Sequence, residues 1–149
     1  MLKYLALALL CSLAISVLGE FEAEEPLDRG WGETIQWITF EAGLKEAKKN
    51  DKPLMLLIYK TWCGACKALK PVFAKSQEIA ELSRHFVMVN VEDEEEPKDE
   101  KYRPDGRYIP RILFLSADGE VMEEFYNENG RHKNTKYYYG KTSESKLIK

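Results

Sequence analysis

The stretch Lys60-Thr61-Trp62-Cys63-Gly64-Ala65-Cys66-Lys67 decides the fold. It follows an apolar run, 54–59, and opens a segment with helical spacing. Because residues i and i+3 share one face of a helix, the sulfurs of Cys63 and Cys66 can meet. At a helix N-terminus the unpaired N–H groups and the positive end of the dipole favour the thiolate, the nucleophile of disulfide exchange. The stretch therefore predicts a redox-active dithiol between a buried strand and a helix.

Cysteine usage favours a reactive pair over a structural one. The chain has three cysteines, and Cys11 lies in a predicted signal peptide, 1–19. That apolar run is short for a membrane span and is followed by acidic residues, although an N-terminal anchor is the alternative. Signal removal would leave Cys63 and Cys66 alone. They close a loop too short to restrain the unfolded chain much, so reactivity explains the pair better than stapling.

Length and charge limit the classes of protein that need considering. The 149 residues suit one domain, and 44% are hydrophobic, as in a globular protein. The net charge of -3 comes from 22 basic and 25 acidic residues, so we expect no nucleic-acid partner. No stretch after the predicted signal is apolar enough to cross a bilayer, so we expect no membrane contact after signal cleavage. We predict a flexible leader at 20–32, the folded domain at 33–139 and a short tail at 140–149.

Hydrophobic periodicity predicts an α/β order of elements. The predicted elements are a short strand at 35–39, a helix at 41–50, strands at 54–59 and 86–91, helical segments over 63–76 and 77–85, and a hairpin of strands at 112–115 and 121–125. Pro71 should kink or split the first helical segment after the dithiol. The acidic run 92–96 is expected to be a solvated loop. Parallel strands joined by helices and closed by an antiparallel hairpin give an α/β sandwich.

Several motifs carry a resemblance to a known fold. The motif 62–67, the helix proline Pro71 and the later Tyr108-Ile109-Pro110 resemble the thioredoxin fold. More narrowly, 62–71, 86–99 and 108–115 resemble the thioredoxin domain-containing protein 12 family of the endoplasmic reticulum. Its sister group, the anterior-gradient proteins, shares the scaffold but generally lacks one active-site cysteine.

The resemblance implies a thioredoxin-like three-layer sandwich with a mixed sheet. That family closes its sheet with a last helix and ends in a KDEL-like signal, whereas 140–149 shows neither pattern. We therefore expect a truncated C-terminal helix. The expected location is the lumen of the endoplasmic reticulum, with secretion possible because no retrieval signal is visible.

The resemblance also implies roles for the residues of the motif. Cys63 would be the exposed attacking thiol and Cys66 the shielded resolving thiol. Trp62, Gly64 and Ala65 would contact substrate. Trp62 would cover the disulfide, or it could equally be a simple core residue.

The second part of the implied site is the loop before the predicted strand at 112–115. Pro110 would follow a cis peptide bond, with a trans proline opening the strand as the alternative. Ile109 would offer its backbone N–H and C=O to an extended substrate peptide. That is strand addition, which tolerates many substrate sequences.

The chain departs from the wider family at two positions. Ala65 replaces the proline of thioredoxin and the histidine of protein disulfide isomerase, so the helix dipole would do more to stabilise the thiolate. Leu57 stands where many relatives bury an acid. We expect slower proton transfer at Cys66 unless Lys60, Lys67 or a nearby acid substitutes.

The predicted function is that of a thiol–disulfide oxidoreductase of the secretory pathway, a protein-disulfide reductase of the glutathione type. It would act on protein disulfides, with glutathione as redox partner and no bound cofactor. The alternative is a non-enzymatic client-binding module of the anterior-gradient type. A zinc site would need ligands besides the dithiol, and His85 and His132 lack the spacing, so no metal is expected.

Overall fold

A computed structural model describes residues 25–128 and 134–141 of the chain. The predicted signal peptide 1–19, with Cys11, lies outside these residues. So do 20–24 of the predicted leader and 142–149 of the predicted tail, so the expected loss of a closing helix is not addressed by the described part of the chain.

The described residues form a mixed three-stranded sheet with helices on both faces. Its elements, in chain order, are α1 (Phe40–Asn50), β1 (Leu54–Tyr59), α2 (Gly64–Lys75), α3 (Gln77–Leu82), β2 (Val87–Glu92) and β3 (Arg111–Leu115). β1 lies in the centre, parallel to β2 and antiparallel to β3. Leu56 at the middle of β1 is in register with Val89 on one side and Leu113 on the other. This confirms the α/β class and the mixed sheet.

Side chains of β1 alternate between two cores, as the period of a strand requires. Met55, Leu57 and Tyr59 pack into the core formed with α2 and α3. Leu54, Leu56 and Ile58 pack into the core beneath α1. Every residue of β1 is buried, as expected for a strand covered on both faces. The result is the predicted three-layer sandwich, and the two cysteines belong to the first of its cores.

The helix break falls later than the proline. α2 runs through Pro71 without interruption and ends at Lys75. The chain breaks at Ser76, whose backbone is extended, with ψ 111°. The Ser76 hydroxyl accepts a hydrogen bond from the Ile79 N–H at 3.3 Å and so caps α3. The predicted split at Pro71 is therefore wrong, since the helix boundary lies at the Ser76 cap; a kink at Pro71, the other expectation, stays a prediction.

Two predicted strands are reduced to single bridges. The segment 35–39 pairs with β2 only through Trp37 and Met88, because the chain turns into α1 at Phe40. The segment 121–125 pairs with β3 only through Val121 and Leu115. A turn closed by the Phe125 N–H and the Met122 carbonyl then takes the chain away from the sheet. The turn at 117–119 before it is confirmed, with Gly119 at φ +80°.

The end of the predicted flexible leader packs onto the domain. Trp31 is 0% exposed and meets Tyr59 and Phe73 edge to face, with ring centroids 5.0 and 5.7 Å apart. The Leu27 carbonyl accepts a hydrogen bond from Asn90 Nδ2 at 2.7 Å. Because a large aromatic side chain gains most from burial, this segment is held in place, and mobility is the wrong prediction for 27–32.

Candidate active site

Cys63 occupies the N-cap position of α2. Its backbone is extended, and its Sγ accepts a hydrogen bond from the Cys66 N–H at 3.1 Å. The two cysteines form a disulfide with their Cα atoms 5.3 Å apart. A sulfur that already accepts an N–H bond at the positive end of a helix is well placed to carry negative charge when the pair is reduced.

The two cysteines differ slightly in exposure, although both are buried in the oxidised state. Cys63 is 6% exposed and Cys66 is 1% exposed. Cys63 is thus not the exposed residue that was expected, because its side chain is turned inward to Cys66. It is still the more accessible of the two.

The side chains around the disulfide differ strongly in environment. Trp62 is 73% exposed, so the core interpretation of this residue is wrong. A side chain at Gly64 would meet no atom within 4 Å, and so nothing in the packing demands glycine there. Ala65 is half-buried and packs against the core that contains Cys63 and Cys66. The motif therefore presents one large exposed aromatic residue directly before a buried disulfide.

The loop before β3 lies against the same core as the disulfide. The Ile109–Pro110 peptide bond is cis, as predicted. Pro110 is buried, and Ile109 is half-buried and packs against the core that holds Cys63 and Cys66. The dithiol and the loop, which lie more than forty residues apart in sequence, thus pack against one common core.

Ionisable groups beside the disulfide are few in the described residues. Leu57 occupies the position at which the resemblance led us to expect an acid in many relatives. It is fully buried in the core that holds the cysteines. Two tyrosines share that core. Burial, with a hydrogen bond to Glu92, raises the pKa of Tyr59, and burial raises the pKa of Tyr139 to about 12. Slow proton transfer at Cys66 remains a prediction.

The acidic run 92–96 contacts the site through Asp93 and Glu96, so the prediction of a solvated loop is wrong for these two residues, whereas Glu94 and Glu95 are exposed as expected. Asp93 accepts hydrogen bonds from Thr61, from N–H to Oδ1 at 3.0 Å and from Oγ1 to Oδ2 at 2.8 Å. These bonds hold the pKa of Asp93 below its ordinary value. Glu95 forms an ion pair with Arg29, with a 2.7 Å bond from Nη2. Cations and hydroxyls contributed by distant segments thus hold Asp93, Glu95 and Glu96 against the domain, whereas the Glu94 side chain is exposed.

Glu96 lies at the centre of this network. Its carboxylate contacts Lys60 at 3.2 Å, Arg103 at 3.2 Å and Arg111 at 2.5 Å. Burial by itself would raise the pKa of Glu96, but the bond and charge of Arg111, with bonds from Lys60 and Arg103, lower it to about 2. The carboxylate is therefore ionised at neutral pH.

One sequence signal could have revealed this network. Arg111 is a charged residue at the head of the otherwise apolar strand Arg111–Leu115. A buried guanidinium requires a carboxylate or several acceptors, so its presence there predicts an acidic partner. The longest acidic run in the sequence, 92–96, ends with Glu96.

No metal site or membrane helix is found in the part of the chain that the structure describes. Within residues 25–128 and 134–141, no group of three or more His, Cys, Asp or Glu side chains could hold a metal ion. No helix in those same ranges is long and apolar enough to cross a bilayer.

Comparison with known proteins gives first the class and then the family. The sequence family described as thioredoxin-like matches residues 36–117. A thioredoxin from Thermus thermophilus, solved in solution, superposes with a TM-score of 0.52 at 18% identity and covers 77% of this chain and 85% of its own. The structure and the family match thus define a thioredoxin-like protein.

Two curated relatives narrow the class. Anterior gradient protein 3 of Xenopus tropicalis is 42% identical over 139 residues, covering 91% of this chain and 82% of that protein. Anterior gradient protein 3 of Homo sapiens is 38% identical over 130 residues, covering 86% and 75%. The chain therefore belongs to the anterior-gradient family of thioredoxin-like proteins. These relatives support that family and not the narrower thioredoxin domain-containing protein 12 family expected from the motifs.

Proposed function

We propose that the protein is a thiol–disulfide oxidoreductase that acts on protein disulfides through Cys63 and Cys66. The observation that carries the proposal is a dithiol at the N-terminus of α2, packed into the same core as the cis Ile109–Pro110 loop. A nucleophilic sulfur and a nearby backbone edge are the two parts that disulfide exchange on an extended peptide needs.

The proposed reduction proceeds in two exchanges. The Cys63 thiolate attacks one sulfur of the substrate disulfide, and the other substrate sulfur leaves as a thiolate that takes up a proton. The Cys66 thiolate then attacks the Cys63 sulfur of the mixed disulfide and releases the second substrate thiol. The protein is left oxidised as the Cys63–Cys66 disulfide. Two molecules of glutathione would restore the dithiol and form glutathione disulfide.

Insulin reduction tests the proposal. The wild-type chain with glutathione should reduce insulin disulfides, and Cys63→Ser should abolish the activity because it removes the nucleophile. Cys66→Ser keeps the nucleophile and should accumulate a mixed disulfide with insulin, visible on a non-reducing gel. Full activity of Cys63→Ser would refute the proposal. Failure of glutathione alone to regenerate the dithiol would refute only the glutathione coupling.

A client-binding function without chemistry is the second candidate. Membership of the anterior-gradient family favours it, and so does the exposed Trp62 beside the site. Such a module would bind an unfolded client equally well with both thiols alkylated, and Trp62→Ala would weaken binding. Calorimetry with a client that keeps its disulfides, run on the protein with its thiols free and with them alkylated, distinguishes the two functions, since dependence on the protein's free thiols supports the oxidoreductase.

The proposed location is the lumen of the endoplasmic reticulum, or the outside of the cell after secretion. The predicted signal peptide 1–19 supports it. Expression in secretory cells, followed by mass analysis of the mature N-terminus, tests this directly. A chain that retains 1–19 and remains in membranes would support the anchor instead.

A further inference from the structure

The loop that follows β2 touches both halves of the candidate site. Here the name carboxylate bridge denotes Asp93 and Glu96, two acidic side chains separated by two residues. On one side lies the turn that leads into Cys63. On the other side lies the loop that contains the cis Ile109–Pro110 bond.

The first contact of the carboxylate bridge is with the turn before the dithiol. Asp93 accepts two hydrogen bonds from Thr61, one from its N–H and one from its hydroxyl. The Asp93 carbonyl also accepts a bond from the Lys60 ammonium. Backbone and side-chain bonds from the same two residues fix the path of this turn, which ends two residues later at Cys63.

The second contact is with the loop before β3. Arg111 is fully buried, and its Nη2 donates to Glu96 Oε1 at 2.5 Å. Its Nη1 donates to the Tyr108 carbonyl at 2.6 Å. Arg111 is thereby hydrogen-bonded to Tyr108, the residue that precedes Ile109. The loop that would hold a substrate backbone is tied to Glu96 through this guanidinium.

Glu96 joins the two halves directly. Its Oε2 lies 3.2 Å from the Lys60 ammonium, while its Oε1 binds Arg111. The Glu96 side chain is only 14% exposed, so water competes weakly for these bonds. A continuous chain of contacts therefore runs from Lys60 through Glu96 and Arg111 to Tyr108.

We propose that Glu96 is a positioning residue that fixes the spacing between the Cys63 turn and the Ile109–Pro110 loop. The proposal rests on the proposed function, because the spacing matters only if a substrate is attacked by Cys63 while it lies along Ile109. A protein disulfide requires both parts of the site at once. A small disulfide without a peptide backbone requires only the sulfur.

Glu96→Gln tests the proposal because it keeps the size and removes the charge. Lys60→Met is the second variant: it removes the Lys60 bonds to Glu96 and to the Asp93 carbonyl and leaves Glu96 paired with Arg103 and Arg111. Glu94→Gln is the matched control. Glu94 is exposed, has the same charge and has no hydrogen bond or ion pair within the described ranges.

The readout is KM and kcat with insulin and with hydroxyethyl disulfide. Glu96→Gln and Lys60→Met should raise KM for insulin about tenfold or more, since small misplacements of reacting groups are costly. For hydroxyethyl disulfide, kcat/KM of Glu96→Gln should stay within about twofold of wild type, as it should for Glu94→Gln with both substrates. Equal losses on both substrates, or an unchanged insulin KM in folded variants, would overturn the proposal. If Glu96→Gln does not fold, Lys60→Met decides.

A separate measurement distinguishes this inference from the proposed function. Wild-type protein that reduces neither substrate refutes the oxidoreductase, and amide hydrogen exchange then decides the positioning role. Glu96→Gln should speed exchange in both 60–62 and 108–111, whereas Glu94→Gln should not. Unchanged exchange in either segment would overturn the positioning role even if the wild-type enzyme is active.

Discussion

Replacing Trp31 by alanine tests whether the segment before the predicted domain belongs to its core. The indole is fully buried and packs edge to face against Tyr59 and Phe73. The Lys70 ammonium lies 5.3 Å from its ring centroid. Truncation therefore removes a large buried apolar surface, two aromatic contacts and one cation–π contact.

The expected cost is large compared with typical domain stability. Removal of a buried tryptophan costs about 3–5 kcal/mol. Net stabilities of single domains are about 5–15 kcal/mol, so this one change would remove a substantial share. Because Trp31 Nε1 has no hydrogen-bond partner in the described part of the chain, no polar bond is lost in addition.

Urea unfolding of the oxidised protein, followed by circular dichroism, measures the effect. Trp62→Ala provides the matched control, because the same residue type is 73% exposed there. We expect a loss of about 3–5 kcal/mol for Trp31→Ala and less than about 0.5 kcal/mol for Trp62→Ala. Equal losses, or a loss below about 1 kcal/mol for Trp31→Ala, would show that the leader is mobile after all.

Three further predictions follow from the same packing and charges. Gly43→Ala should lower the free energy of unfolding, measured in urea, by about 1–3 kcal/mol, since its new Cβ would lie 2.6 Å from Val89 Cγ2. Gly64→Ala is the control and should not destabilise the fold, because its new Cβ would meet no atom within 4 Å. The pKa of Glu96 is about 2 in the folded protein and 4.5 in its ordinary state. Ionised Glu96 therefore stabilises the fold fully above pH 4.5, and this stabilisation is lost as the pH falls toward 2. The stability gap between wild type and Glu96→Gln should shrink from about 3 kcal/mol at pH 6 to about 1.5 kcal/mol at pH 3; a constant gap would contradict the ion-pair argument. Cys66→Ser should trap a mixed disulfide with insulin through Cys63, and its absence on non-reducing gels would exclude Cys66 as the resolving thiol.

Elements with strong periodicity were predictable because their hydrophobic pattern is local. The apolar run of β1 required burial on both faces, and the alternating contacts with two cores confirm it. The i, i+3 spacing of Cys63 and Cys66 similarly predicted that both lie on one face of a helix, and the structure begins that helix directly after Cys63. The predicted strands at 35–39 and 121–125 are reduced to single bridges. A helix cap at Thr39 ends the pairing of the first, and a turn between Met122 and Phe125 ends that of the second; neither is visible in the hydrophobic pattern.

The sequence by itself determined the class of fold and the dithiol, since strand, helix and cysteine spacing are properties of neighbouring residues. The tertiary structure decided what surrounds that dithiol. Trp31 enters the core from outside the predicted domain, and Glu96 joins Lys60 to Arg111 across the site. Burial and ion pairing between residues far apart in the chain depend on the folded path. For that reason an acidic run with the composition of a solvated loop supplies one largely buried carboxylate, Glu96, which contacts both Lys60 and Arg111.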